Sequence, residues 1–493
     1  MIPVGLARTR PSYEGLEPPY GPGEAYPELV GLLGQPEGPP NHAYAAVRAA
    51  LRALGLDAER FGTPQWNPLG ALVRRGRCVV LKPNFIRHWN PDESGSLDSV
   101  ITHGSVVRAM VDYALLATGS EGSVVIAEAS QHDCDFAAIR AAAGIDAMVR
   151  FYEETLGFEL AVIDLRREEV TYRDGVISER RALPGDPRGY RLVDLGEHSA
   201  FHGSSLDPHR FRGADYDSRP TTAHHLNGHH EYLLSETVLS ADLVVNLPKI
   251  KTHKKTGVTL ALKNLVGING DKNFLPHHCV GSEAEGGDEY PGQRWIDRAR
   301  SLAAEAARSL LKRDVGSGPV RALRRLEMAT RGDAFVRSGN WYRNRTTWRM
   351  CLDLNRCLHY CDAQGQHWDA PGPVRRVLSV IDGIVAGEGD GPLAPRDRPL
   401  GVILAALDPV ALDLAAIRLM GFDEKRIPKV REAMACDLLR VTQVRHPDDV
   451  VVREASAEGA ALREHGLKAL DAGASFLAQA GWRGHVEKAP CAA

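Results

Sequence analysis

The sequence predicts an α/β fold: a mostly parallel sheet flanked by helices, with a mostly helical insertion. Three observations carry this. Six short Val- and Ile-rich runs are nearly continuous in hydrophobicity, as strands buried on both faces must be. Helix-period segments separate several of them, the order expected of a parallel sheet with crossover helices. A long stretch, 271–376, then has few strand-like runs.

Residues 1–42 are rich in Pro and Gly without an apolar period, and read as an irregular N-terminal arm. The first part of the α/β core, 43–270, opens with "AYAAVRAALRALGL" (43–56), whose apolar residues recur three and four apart. Its strand runs are "RCVVLKPN" (77–84), "SVVIAEAS" (123–130), "LAVIDL" (160–165) and "DLVVNLPK" (242–249). Helical patterns are "GSVVRAMVDYALLATG" (104–119) and "GVTLALKNLVG" (257–267). The insertion or cap, 271–376, holds the Arg- and Ala-rich "RWIDRARSLAAEAARSLLKR" (294–313) and "NWYRNRTTWRMCLDLNRCLHY" (340–360). Here Cys351 and Cys357 read as core-facing helix positions. The second part of the core, 377–450, has the runs "VLSVIDG" (377–383) and "GVILAALDP" (401–409), then a helix over 408–421 with Asp408 as N-cap and Pro409 at its first position. Residues 451–493 read as an exposed helical C-terminal extension.

Composition narrows the function classes. Sixty basic against sixty-three acidic residues give a formal charge of −3, so no global basic field exists to hold nucleic acid. The Arg-rich 310–349 stretch has helical spacing and reads as a solvated face. No run of about eighteen apolar residues and no signal-type leader is seen, so no membrane association is expected. Eight scattered cysteines without a CxxC pair point to reduced thiols and a cytoplasmic location. GxSxG, P-loop and GxGxxG patterns are absent, which removes the usual support for serine hydrolases, P-loop NTPases and Rossmann dehydrogenases.

The charge is local instead. In "ADLVVNLPKIKTHKKTGVTLALKNLVGINGD" (241–271) no acid lies between Asp242 and Asp271, while Lys249, Lys251, Lys254, Lys255, Lys263 and His253 do. Lysines beyond a buried strand, followed by a helix starting at Gly257 with free N–H donors, would suit a phosphate or carboxylate. The plainer reading, lysines paired elsewhere or facing water, applies first to Lys254 and Lys255. The candidate strands also end on polar residues: Lys82 and Asn84, Glu128, Asp164, Asn246 and Lys249, Asp382, Asp408. Parallel strands would bring these ends to one rim, where ligands of open α/β sheets bind. In "VIDGIVAGEGDGPLAP" (380–395), Asp382, Glu388 and Asp390 could offer oxygens to a hard divalent cation such as Mg²⁺; an ordinary acidic loop is the competing reading. The histidines of "TTAHHLNGHHEYLLSE" (221–236) and "LPHHC" (275–279) show no fixed ligand spacing and read as polar loops.

Three segments, 77–130, 241–270 and 378–437, together resemble the bacterial and archaeal family catalogued as domain of unknown function 362. The lysine–histidine–lysine segment is the specific part. The resemblance carries the family's polar positions onto Lys82, Pro83, Asn84, Thr102, His103, Lys249, Lys251, Thr252, His253, Lys263, Asn264, Asp382, Gly383, Glu388, Gly389, Asp408 and Asp413. Many family members hold [4Fe–4S] clusters on ferredoxin-type cysteines; this chain has no CxxCxxC, so no iron–sulfur cluster is expected.

The expectation is an enzyme acting on an anionic small molecule. Lys82, Asn84, Lys249, Lys263 and Asn264 would bind substrate; His103, Lys251 and His253 would transfer protons; Asp382, Glu388 and Asp390 would hold a divalent metal. Aromatic and basic residues of the insertion (Trp341, Tyr342, Arg343, Arg345, Trp348) would close as a lid. The alternative is a non-catalytic anion- or metal-binding assembly protein with the same lysine rim.

Overall fold

The computed structural model describes residues 1–36, 38–173, 176–215, 217–292, 295–311, 336–365, 372–456, 461–470, 473 and 475–488. Eleven strands build one mixed, mostly parallel sheet. In chain order they are β1 (Ile2–Arg8), β2 (Cys78–Pro83), β3 (Ser123–Glu128), β4 (Ala161–Asp164), β5 (Leu243–Leu247), β6 (Lys249–His253), β7 (Gly257–Val258), β8 (Arg376–Asp390), β9 (Ala394–Ala406), β10 (Val450–Ala455) and β11 (Leu462–Gly466). The spatial order is β11–β10–β1–β9–β8–β5–β2–β3–β4, with β6 pairing β8 and β7 pairing β6. β8, β5, β2, β3 and β4 run parallel, as do β10 with β1 and β6 with β8. β8 and β9 form a long antiparallel hairpin.

Every central strand is covered on both faces, which is why its sequence is continuously apolar. Val79, Leu81, Val245 and Leu247 point to the face covered by α1 (His42–Leu54) and α2 (Gly104–Thr118). Val80 and Val244 point to the other face. There lie α3 (Leu260–Asn264), α4 (Thr347–Tyr360), α5 (Pro409–Leu419) and α6 (Pro428–Ala435). Asn41 caps α1 by accepting from Tyr44 N at 3.0 Å, and Gly55 ends it in the left-handed region. Asp408 caps α5 through Val410 N and Ala411 N, with Pro409 in the first turn, as its sequence predicts.

Four expectations are corrected. Residues 2–8 are an inner strand, not part of an irregular arm: β1 lies between β9 and β10. Its short apolar run is broken by Gly5 because α1 crosses there at backbone distance; a Cβ on Gly5 would collide with Ala50 O and stand 2.6 Å from Leu54 N. The tail is not an exposed helix, since β10 and β11 extend the sheet and Trp482 is buried. Gly257 does not start a helix. It pairs with His253 in a strand, at φ 76°, and the following α3 is five residues long. Within 271–376, Trp295–Leu311 and α4 are helical, joined by turns and the short strand His278–Cys279; residues 293–294, 312–335 and 366–371 lie outside the described residues. α4 is no cap: Leu352, Leu354 and Leu358 are buried in the layer beneath the sheet, with Cys351, Cys357 and Cys361 also buried.

Gly5→Val tests the placement of β1. Overpacking a backbone contact should cost about 2–4 kcal/mol. Urea denaturation reads it as a lower midpoint at unchanged slope, and an unaffected midpoint would mean the N-terminal strand is peripheral.

Candidate functional site

The carboxyl ends of β2 and β3, together with β6 and α3, surround a cavity of about 240 Å³. Six lysines line it: Lys82, Lys251, Lys254, Lys255, Lys263 and Lys272. Four histidines join them, His132, His253, His277 and His278, and Glu128 is the one acid among the described lining residues. Apolar contacts come from Ile86, Val266, Leu275 and Leu393.

One wall is a fully hydrogen-bonded network. Lys82 Nζ donates to Glu128 Oε2 at 2.6 Å, to Pro83 O at 2.9 Å and to Asn264 Oδ1 at 3.3 Å. Asn84 Nδ2 donates to the same Asn264 oxygen at 2.7 Å, while Asn84 Oδ1 accepts from Lys251 Nζ at 2.9 Å. Asn264 Nδ2 reaches Asn246 Oδ1 at 2.7 Å. Both amides are therefore orientated by what they touch. Gly267 is required beside them, because a Cβ would collide with Glu128 Oε1 and stand 2.7 Å from Lys82 Nζ. The sole carboxylate is thus already committed to Lys82.

Lys251, Lys255, Lys263 and Lys272 have no carboxylate partner among the described residues. Lys272 Nζ donates to Ala129 O at 2.8 Å, and Lys255 Nζ donates to Ser338 O. Lys263 is half-buried and has no hydrogen-bond or ion-pair partner among the described residues. Burial first, then the neighbouring lysines, pushes the Lys251 ammonium well below the ordinary lysine range. Burial and Lys254 bring Lys255 down to about 7, and burial brings Lys272 down to about 8. Thr259 Oγ1 and His278 Nδ1 are buried without a hydrogen-bond partner among the described residues. The cavity is rich in donors and positive charge, and its described side chains supply one carboxylate for them.

His253 is held by its Nδ1, which accepts from Lys255 N at 3.0 Å and Thr256 N at 3.2 Å. Burial and the surrounding lysines keep the ring neutral, its pKa pushed well below 6.5. The proton consequently sits on Nε2, so this histidine is a hydrogen-bond donor and not a base. Of the proton-transfer role expected of it, this geometry leaves donation and not abstraction.

The structure brings Lys82, Asn84, Lys251, His253, Lys263 and Asn264 together. It does not bring the others. Lys249 is buried against Asp382 at 2.8 Å, outside the cavity lining. Asp382 also accepts from His103 N at 2.9 Å, Ile384 N at 3.1 Å and the Tyr13 hydroxyl. His103 is the N-cap of α2, its Nδ1 accepting from Ser105 N at 3.1 Å and its ring stacked on Tyr13 at 3.7 Å. Burial lowers its pKa to about 3. It caps a helix and lies outside the lining of the lysine cavity. The carboxylate set Asp382, Glu388 and Asp390 does not form one metal site either. Glu388 stands six positions beyond Asp382 along the strand, roughly 20 Å at the usual rise, and accepts from Leu477 N. Nor does the start of α3 offer donors to an anion, because Asp413 accepts from Ala261 N at 2.7 Å and pairs with Lys429 at 2.8 Å.

The lid expectation also changes. Trp341 is buried and donates to Asp288 O, Tyr342 stacks on His485 at 3.7 Å, Arg343 pairs with Glu283, and neither Arg345 nor Trp348 lines the cavity. Sequence reading missed Lys272, His132, Thr259, His277 and His278 as site residues. Only the doubled histidine of "LPHHC" offered a signal, and without ligand spacing it read as a loop. In the other histidine cluster, Asp194, His229 and Glu231 place ligand atoms within 4.8 Å of one another, with His229 Nδ1 2.6 Å from Asp194. That group is separate from the cavity.

Asp382→Ala would strand a buried ammonium, a hydroxyl and two backbone N–H groups. Breaking such a pair from one side should cost about 3–5 kcal/mol, read as a lower denaturant midpoint. A change within ~0.5 kcal/mol would contradict the structural role.

Among solved structures, a protein from Thermotoga maritima aligns over 73% of this chain and 54% of its own, at 10% identity and a TM-score of 0.29. A likeness that weak adds nothing to the fold or the site. A Synechocystis protein named as thylakoid-associated is 22% identical over 219 residues, which is 44% of this chain and 43% of the relative. The chain thus aligns with less than half of that relative's length. No described helix is long and apolar enough to cross a membrane. Residues 192–418 hold β5 to β9 and most of the lysine-rich cavity wall, whereas Lys82, Asn84 and Glu128 lie before them. Over that span, a little under half of its length, the chain matches the family described as Domain of unknown function (DUF362).

Proposed function

We propose that the chain binds a small molecule carrying two or more negative charges in the lysine-lined cavity and acts on it by proton transfer. One observation carries the reading: among the described lining residues the one carboxylate already serves Lys82, which leaves Lys251, Lys255, Lys263 and Lys272 without an acid. Phosphate and carboxylate oxygens are the acceptors that match ammonium, hydroxyl and imidazole N–H donors. Lys251, Lys263, Thr259 and the His253 Nε2–H form the binding set.

Proton transfer falls to Lys255. With a pKa of about 7 it exchanges a proton near neutral pH, where acid–base catalysis is most effective. Lys251, whose Nζ is spent on Asn84 Oδ1 and Val100 O, is better suited to orientating the anion. A second reading, capture without transformation, needs the same donors and no role for Lys255. Mass spectrometry of small molecules retained by the purified chain, before and after incubation, separates the two: conversion supports the first, unchanged release the second.

Sulfate keeps its charge across the working range and is the probe for pH dependence. Lys255 and Lys272, with values of about 7 and 8, are charged below these values and neutral above them. Sulfate affinity should be greatest near pH 6 and fall at least tenfold by about pH 9. A flat calorimetric profile would reject the lysines as the anion's partners.

Lys263→Ala removes a cation that repels its neighbours and has no described partner. It should weaken sulfate binding at least fivefold while leaving the denaturation midpoint unchanged or higher. A lower midpoint with unchanged binding would make Lys263 a structural residue.

A further inference from the structure

Two of the four histidines lining the cavity are fixed in opposite tautomers. His253 accepts two backbone N–H groups at Nδ1, which leaves its proton on Nε2. His277 does the reverse: its Nδ1 lies 2.8 Å from Leu275 O. A carbonyl has no hydrogen to give, so Nδ1 must carry the proton and Nε2 the lone pair. Both rings line the same cavity.

This asymmetry is informative because of its surroundings. Lysine ammonium groups and the His253 Nε2–H all donate, whereas the His277 Nε2 accepts and has no hydrogen-bond partner among the described residues. Burial, with Lys255 and Lys263 close by, keeps His277 unprotonated, at a pKa of about 3. A ligand made only of anionic oxygens would satisfy the donors and set its negative charge against that lone pair. An acceptor fixed among donors has a use when the ligand brings a hydrogen of its own.

We infer that the cavity takes a hydroxylated anion, such as a hydroxy acid or the phosphate ester of a polyol, whose hydroxyl hydrogen is received by His277 Nε2. The inference rests on the proposed anion site and adds the polarity of its ligand. His277 is the selectivity element; the lysines and His253 hold the charge. Sites that hydrogen-bond a substrate hydroxyl discriminate against the analogue lacking it more strongly than apolar pockets discriminate between sizes.

Two matched pairs test this by titration calorimetry: glycerol 3-phosphate against n-propyl phosphate, and malate against succinate. In the unmodified chain the hydroxylated member of at least one pair should bind about tenfold more tightly. His277→Phe should bring that ratio close to one and retain affinity for the deoxy member. Equal affinity within both pairs would overturn the inference while leaving the anion site standing, as would a preference that survives in His277→Phe. Failure of all four probes to bind would overturn the anion reading itself. Independently of that variant's folding, nitrogen NMR of histidine-labelled protein should show His277 protonated at Nδ1 and His253 at Nε2. His277 found protonated at Nε2 would end the proposal.

Discussion

Positive charge held in a poorly solvated rim is the constraint on which this structure turns. A buried ammonium is costly unless a carboxylate or several oxygens meet it. Lys82 is met by Glu128, Pro83 O and Asn264, and Lys249 by Asp382. Lys429, beneath α3, is met by Asp413 and Thr259 O. These pairs make the frame. Lys251, Lys255, Lys263 and Lys272 are not matched by acids among the described residues, and burial first, then neighbouring cations, lowers their pKa values. The apolar faces of the sheet and its helix layers stabilise the fold well enough to carry such a group.

Lys249 and Lys251 show how local geometry divides one motif between the two duties. They stand two residues apart on β6 and would face the same way along a regular strand. The pairing with β8 is irregular, though: Lys249 lies opposite Asp382 and Lys251 opposite Gly387. Five residues of β8 pass while β6 advances two. Lys249 is closed off beneath Tyr13, and Lys251 emerges beside Asn84 at the cavity. Gly387 accommodates this, since a Cβ there would stand 3.0 Å from the Lys251 Cβ and 2.8 Å from Ser99 O.

What was legible in the sequence follows from the same physics. Strands β2, β3, β5 and β8 announce themselves because both their faces are buried, and the rule that ligands meet parallel strands at their carboxyl ends located Lys82, Asn84 and Lys251. β1 was hidden by Gly5, present for the backbone contact with α1, and by the Pro- and Gly-rich segment after it. The family resemblance drew in His103 and Asp382 with the cavity residues, yet a residue common to a motif can serve its frame. Lys272, His132 and His277 reach the cavity from irregular segments, where no period tells which way a side chain points. Their role depends on tertiary packing alone.

The charge balance also bears on the size of the guest. A ligand with one negative charge could answer Lys251 or Lys263, and it would leave Lys255 and Lys272 to lose their protons as burial dictates. Two or more charges, spread over the cavity, would raise all of these pKa values together, so that binding and proton uptake become one event. In that state Lys255 is a filled acid rather than a half-titrated amine, and Lys263 gains the partner that the described residues do not provide. The unpaired Thr259 hydroxyl and His278 Nδ1 are buried beside these charges. Such mutual support between the lysines and a polyanion is what the proposed function asks of the cavity.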